Sequence, residues 1–318
     1  MDWISIAGGL GVLTLGAELL IRGSTEIARR AGVSELLIGL TLIGFGTSTP
    51  ELVACVEAAL VGSPGVAVGN VVGSNIVNIL FILGMSALIA PFAVDRKSFA
   101  RDGVVVLIAT IAMIGVSMTG EFNRPAGWAF LAAIAGYIGY AYFTERRRPD
   151  TPKAELHATA GAKAAVGPKS LPLDFIFVCV GLVLLIVGAK FLVTGAINIA
   201  GRFGVSETII GLTIVAIGTS LPELVTSIVA AIRGKSALAL GNVVGSNIYN
   251  LFGILGVTAA IHPVKAPAEI VAFDNWVMLG ATLLMILFVV TKSRLSRAEG
   301  AFMVAAYLAY VGVLIAKA

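Results

Sequence analysis

This sequence predicts an all-α polytopic membrane protein, with ten transmembrane helices arranged as two inverted-topology five-helix repeats. Three observations carry that expectation. Of 318 residues, 58% are hydrophobic and only 13% charged, with a mean hydropathy of +0.98, whereas soluble domains carry about 25% charged residues. The apolar residues come in runs of about twenty, the length that crosses a hydrocarbon core roughly 30 Å thick. Residues 32–84 and 204–256 align without a gap at a constant offset of 172, with 31 identities in 53 positions. The composition excludes a soluble enzyme, a secreted disulfide scaffold and a disordered chain. The net charge of +4 does not point to nucleic acid, because the basic residues sit in short loops between apolar runs and follow membrane topology.

Hydropathy lays out ten spans, at 3–28, 34–61, 66–89, 102–119 and 125–143, then 173–200, 206–232, 237–261, 270–290 and 299–316. The N-terminus lacks a basic n-region and a small-residue cleavage site, so the first run reads as a retained span. Between the fifth and sixth spans lies the one long polar stretch, Glu145 to Ser170, which holds Arg146, Arg147, Arg148, Lys153, Lys163 and Lys169. It divides the chain into a first repeat (1–144), a cytoplasmic linker (145–171) and a second repeat (172–318). With the linker inside, Arg29, Arg30, Arg96, Lys97, Arg101, Arg233, Lys235, Lys292, Arg294 and Arg297 fall on the same side. Only Arg124, Arg202, Lys265 and Lys317 fall outside. This bias puts both termini on the extracytoplasmic face of a cell membrane.

Five spans per half is an odd number, so the second copy enters the membrane upside down relative to the first. Inverted-topology repeats mark secondary transporters that work by alternating access, with the substrate site near the midplane between the copies.

The two copies share GTSTPE (46–51) and GTSLPE (218–223) within spans two and seven. Each places a helix-breaking proline and a carboxylate near the middle of an apolar run. Pro50 has no backbone donor and clashes one turn back, so the carbonyls of Gly46 and Thr47 are expected to lose helical partners; Pro222 does the same for Gly218 and Thr219. Unpaired backbone at membrane depth is tolerated where it is buried in protein or lines a cavity. Carbonyl, hydroxyl and carboxylate oxygens together make the all-oxygen cage that hard cations prefer. Glu51 and Glu223 are expensive at the bilayer centre, and no Lys or Arg lies at a matching depth in spans two, three, seven or eight. Two such glutamates repel each other unless a cation or a proton lies between them.

Spans three and eight supply a second layer. Ser74 and Asn78 in GSNIVN share a helix face, as do Ser246 and Asn250 in GSNIYN, and they offer neutral oxygens to ions or hydrogen bonds to the glutamates. Asn75 and Asn247 point about 100° away and suit interhelical contacts. Asn70 and Asn242 suit packing or helix-end hydrogen bonds. The glycines, 37 in all, allow close helix approach; none forms a phosphate loop.

The paired GTS-x-PE motifs, each followed by GNVVGSN-x-x-N, resemble the alpha repeats of the sodium/calcium exchanger branch of the calcium/cation antiporter superfamily, in its prokaryotic form. The motifs cover about a third of the chain, and the ten-span layout extends the likeness across nearly all of it. The resemblance implies a transporter and not an enzyme, with no cofactor, which exchanges one Ca²⁺ for several Na⁺. It implies calcium and shared sodium binding by Glu51 and Glu223, hydroxyls and carbonyls from Thr47, Ser48, Thr219 and Ser220, and sodium ligation by Ser74 and Ser246. Gly44 and Ala216 sit where the family uses backbone carbonyls, and Asn78 and Asn250 match its central layer. Some relatives carry an aspartate at one of these two positions; asparagine at both disfavours potassium co-transport and leaves that layer uncharged. Spans one and six would be long tilted helices that slide across the rest. The expected partners are the two ions and the lipid bilayer, with a monomer sufficient.

A calcium/proton exchanger on the same fold is the alternative, since protons can neutralise the same glutamates. An intramembrane protease is disfavoured, because the sequence has no catalytic aspartate pair, HExxH helix or serine–histidine pairing. Outside the motifs, Glu57 has Val229 as its counterpart; the outer mouth of the pathway and a surface or interhelical contact suit it equally. Glu18 and Arg22, four apart, could pair on a helix face, and Lys190 takes the place of Glu18 in the second copy. Cys55 and Cys179 lie in apolar runs and are expected to be small buried residues.

Overall fold

The computed structural model describes residues 2–31, 33–60, 62, 64–94, 96–146, 171–202, 216–292 and 294–317. Most of the expected linker, and the stretch 203–215 at the start of the seventh span, lie outside the described residues. The chain is predominantly helical. It opens with α1 (Asp2–Ala31), followed by α2 (Leu36–Thr47) and α3 (Thr49–Leu60), which meet at a bend of 44°. Next come α4 (Pro64–Ile89), α5 (Arg96–Ser117) and α6 (Arg124–Arg146). The second half holds α7 (Leu171–Arg202), the short α8 (Ala216–Thr219), α9 (Leu221–Ile232), α10 (Ser236–Ile261), α11 (Ile270–Thr291) and α12 (Arg297–Lys317). Among the described residues, seven helices are long and apolar enough to cross a membrane, and the bent α2–α3 pair makes an eighth.

Local features recur at the offset of 172. Both α4 and α10 widen into π-helical turns, at Val77–Leu83 and Tyr249–Ile254. Gly62 and Gly234 take left-handed φ values of 74° and 71° in the turns that precede these helices, a conformation that glycine adopts without a steric penalty. Thr110 Oγ1 lies 3.4 Å from Thr282 Oγ1, so a residue touches its own counterpart in the other half. Two short antiparallel ribbons were not foreseen from the sequence: β1 (Phe92–Ala93) pairs with β4 (Arg294–Leu295), and β2 (Glu121–Phe122) with β3 (Val264–Lys265). They sit at opposite ends of α5 and of α11, and each ties a loop of one half to a loop of the other.

The long helices α1 and α7 pack against each other over most of their length. A Cβ on Gly16 would sit 2.9 Å from Gly181 O, one on Gly188 would sit 2.9 Å from Gly9 O, and one on Gly23 would sit 2.6 Å from Asp174 O. Pairing 9 with 188, 16 with 181 and 23 with 174 makes the two helices antiparallel, and the missing side chains let the backbones meet. Where α1 ends, Arg30 Nε pairs with the buried Asp174 at 3.0 Å, and Glu26 pairs with both Arg29 and Arg30. The Glu18–Arg22 pair does not form. Glu18 instead reaches Arg233 at 2.9 Å, and the Arg22 guanidinium lies over the Phe177 ring at 5.2 Å. Cys55 is buried as expected, but Cys179 is exposed, because an apolar residue on α7 can face outward where the surroundings are lipid.

The rest of the apolar core lies between α2–α6 and α10–α12. Here α10 lies directly on α2. A Cβ on Gly44 would sit 3.0 Å from Ser246 N, and one on Gly245 would collide with Leu40 O. This backbone contact seats the polar residues of α10 beside the first helix break.

Candidate ion-binding site

Each GTS-x-PE motif folds as a broken helix. The first half-helix ends at Thr47, Ser48 leaves the helical path with φ −85° and ψ 12°, and α3 begins at Thr49. In the second motif α8 ends at Thr219, Ser220 sits at φ −90° and ψ 9°, and α9 starts at Leu221. The break therefore falls at the serine, two residues before the proline. Pro50 and Pro222 occupy the first turn of the new helix, where a missing N–H costs nothing. The ladder resumes at once, as Leu52 N donates to Ser48 O and Leu224 N to Ser220 O.

This register puts Glu51 and Glu223 in the first turns of α3 and α9, where the positive end of the helix dipole favours a carboxylate. Both are buried, at 2% and 1% exposure. Each is held from the opposite half. Ser48 Oγ donates to Glu223 Oε1 at 2.7 Å, and Ser220 Oγ donates to Glu51 Oε1 at 3.1 Å. The second oxygen of each carboxylate, Oε2, is buried and receives no hydrogen bond among the described residues. Two buried acceptors without donors are costly unless a positive group satisfies them.

Neutral oxygens flank the pair. Ser246 Oγ donates to Gly44 O at 3.2 Å, and the Thr47 hydroxyl lies 3.0 Å from Ile43 O and 3.3 Å from Asn242 Oδ1. Ser74 is buried on α4, one turn before the buried Asn78. Asn78 Nδ2 donates to Asn247 Oδ1 at 3.2 Å across the two halves, so Asn247 makes the interhelical contact that its place on the helix suggested. Asn250 is buried, and neither atom of its amide has a partner among the described residues. Of the remaining expected site residues, Thr219 is half-buried at the end of α8, and the side chain of Ala216 lies outside the described residues. So does that of Glu57. No cluster of three or more His, Cys, Asp or Glu side chains occurs among the described residues; the site has two carboxylates, and its other oxygens are neutral.

The sodium/calcium exchanger protein family model matches residues 1–144 and 173–316. The chain belongs to the sodium/calcium exchanger family. The two matched segments start 172 residues apart, the offset of the internal alignment. Among relatives of this exchanger-family chain, CaxA of Alkalimonas amylolytica is 34% identical, covering 99% of this chain and 98% of its own. The sodium/calcium exchanger MaX1 of Methanosarcina acetivorans is 30% identical over the same shares. A solved structure of the sodium–calcium exchanger NCX_Mj superposes with a TM-score of 0.84 at 31% identity, covering 98% of both chains.

Two residues of this exchanger-family chain have a larger part at the site than the sequence suggested. Asn70 Nδ2 donates to Glu51 O at 3.4 Å and Cys55 Sγ at 3.2 Å, and Asn242 Nδ2 donates to Glu223 O at 3.3 Å and Ser227 Oγ at 2.9 Å. Their recurrence in both copies was the available signal. Nothing in the sequence shows that their amides reach the main chain of the glutamates.

Proposed function

We propose that this chain is a secondary-active antiporter that exports Ca²⁺ in exchange for several Na⁺ by alternating access, with ten transmembrane helices in two inverted five-helix repeats. The observation that carries the reading is the reciprocal pair of buried carboxylates, each oriented by a serine of the other half and each keeping one buried oxygen without a donor among the described residues. The ligand set is Glu51 and Glu223 for calcium, with Thr47, Ser48, Thr219, Ser220, Ser74, Ser246, Asn78, Asn250 and the carbonyls of Gly44 and Ala216 completing the ion sites. One Ca²⁺ neutralises the two carboxylates alone, whereas sodium needs at least two ions and the neutral oxygens. Either loaded site can face the low-dielectric barrier, and an empty one is penalised by its unpaired charge. With more than two sodium ions per calcium, the cycle is electrogenic.

The layout is residues 1–144, a cytoplasmic linker at 145–171, and residues 172–318, in a cell membrane with both termini outside. The ribbons support this sidedness: β1–β4 contains Arg294 and β2–β3 contains Lys265, at opposite ends of α11. The antiparallel crossing of α1 and α7 supports the inversion.

The test is radiocalcium uptake into sodium-loaded proteoliposomes. An outwardly directed sodium gradient should drive uptake, and a pH gradient alone should not. Equal uptake on a proton gradient without sodium would make the chain a calcium/proton exchanger.

A further inference from the structure

We propose that Asn242 is a positioning residue for ion coordination: it fixes the spacing of the two helix breaks by joining the main chain of Glu223 to the hydroxyl of Thr47. The inference rests on the reading of Glu51 and Glu223 as the ion-binding carboxylates.

Asn242 is fully buried on α10. Its Nδ2 donates to Glu223 O at 3.3 Å and to Ser227 Oγ at 2.9 Å, and its Oδ1 lies 3.3 Å from Thr47 Oγ1. One amide thus holds the first turn of the helix that carries Glu223 and the last residue of the half-helix before the other break. Four residues further along the same face of α10, Ser246 donates to Gly44 O. A single helix face therefore grips the first break at two points and the second break at one.

The chemistry requires an amide. Only Asn or Gln presents two donors and an acceptor on one planar group. Aspartate cannot donate to Glu223 O, and leucine offers neither function. The clamp does not touch the ion. It decides where the stem of the carboxylate begins, and ligand sets of this kind must be held to within about 0.5 Å. The donor half of the clamp recurs 172 residues earlier, where Asn70 donates to Glu51 O and to Cys55 Sγ. A thiol there does what the Ser227 hydroxyl does at Asn242, so the anchor accepts sulfur or oxygen.

The experiment measures calcium exchange in proteoliposomes for wild type, Asn242→Leu, Ser227→Ala, Ser227→Cys and Glu223→Gln, separating half-saturating Ca²⁺ from maximal rate. A displaced carboxylate weakens binding more than it slows the cycle. Asn242→Leu should therefore raise half-saturating Ca²⁺ by about tenfold, equivalent to about 1.4 kcal/mol, with the maximal rate largely kept. Ser227→Ala should shift it in the same direction, and Ser227→Cys should restore the wild-type value. An unchanged half-saturation in Asn242→Leu overturns the proposal, as does a pure loss of maximal rate. If Asn242→Leu fails to insert, the Ser227 pair decides, and identical behaviour of Ala and Cys overturns it. Glu223→Gln is read separately: normal exchange in that variant would overturn the ion-site reading itself, and the clamp with it.

Discussion

Ser48 donates a hydrogen bond to Glu223 at 2.7 Å, although 175 residues separate them in the chain. The mirror bond from Ser220 to Glu51 is 3.1 Å. Each glutamate is held by the serine of the other motif. Each break supplies a carboxylate to one side of the site and a hydroxyl to the other, so any cation between the carboxylates is shared by both halves.

Removing either charge should therefore disable the whole site. Glutamine keeps the size of glutamate but replaces an anionic ligand with a weaker neutral one, and ligand charge sets affinity at hard-cation sites. Glu51→Gln and Glu223→Gln should each nearly abolish exchange while the protein inserts and purifies normally. Glu57→Gln should keep most activity, since position 57 has Val229 as its counterpart. Calorimetric calcium binding and vesicle exchange check all three. A dead Glu57→Gln beside an active motif variant would show that the site is misplaced.

The serines should act through the carboxylates they face. A hydrogen bond to a charged group contributes about 1.5–3 kcal/mol, so Ser48→Ala should raise half-saturating Ca²⁺ by about ten- to a hundredfold. In a Glu223→Gln background, the same change should cost much less. A double-mutant cycle on calcium binding measures that coupling, and independent, additive effects would separate the two residues.

Asn250 separates folding from function. Both of its amide atoms are buried without a partner among the described residues, and replacing such a group by an apolar one of similar shape is near neutral or stabilising for folding. Asn250→Leu should melt at or above the wild-type temperature yet lose most sodium-driven exchange. Asn247→Leu removes the acceptor of the Asn78 amide and should lower the melting temperature. Thermal unfolding in detergent, paired with exchange assays, tests this. A destabilised Asn250→Leu would make its amide a structural group.

The α2–α10 contact should be the least forgiving packing among the described residues. A Cβ at Gly245 would collide with the carbonyl of Leu40, whereas one at Gly136 meets nothing within 4 Å. Overpacking typically costs about 1–3 kcal/mol. Gly245→Ala should lose folded yield and calcium affinity together, because Ser246 follows directly and binds Gly44 O. Gly136→Ala should match wild type in size-exclusion profile and melting temperature.

The breaks were legible in the sequence because a proline and a carboxylate recur at one offset inside apolar runs. The opposite directions of α1 and α7 agree with the inversion that the repeat predicts. Contacts between elements were not legible. Spacing placed Glu18 and Arg22 on one face of α1 but could not reveal that Arg233 stands closer to Glu18. Hydropathy put Cys179 in a membrane span, but lipid and protein interior are equally apolar, so it could not tell an outward face from a buried one. The roles of Asn70 and Asn242 depend on how near α4 and α10 pass to the breaks, which for α10 is set by the contacts of Gly241 and Gly245 with α2 and not by composition.

The crossed serine–glutamate bonds also bear on ancestry. A polypeptide consisting of residues 1–144 alone would own a carboxylate whose hydroxyl donor is encoded elsewhere, and the same holds for residues 173–316. On the proposed inverted layout, two such segments facing each other head to tail complete the site. On that layout, the product of a gene for one segment would complete the site only by assembling in pairs with opposite orientations, and joining two copies in one reading frame makes that arrangement heritable.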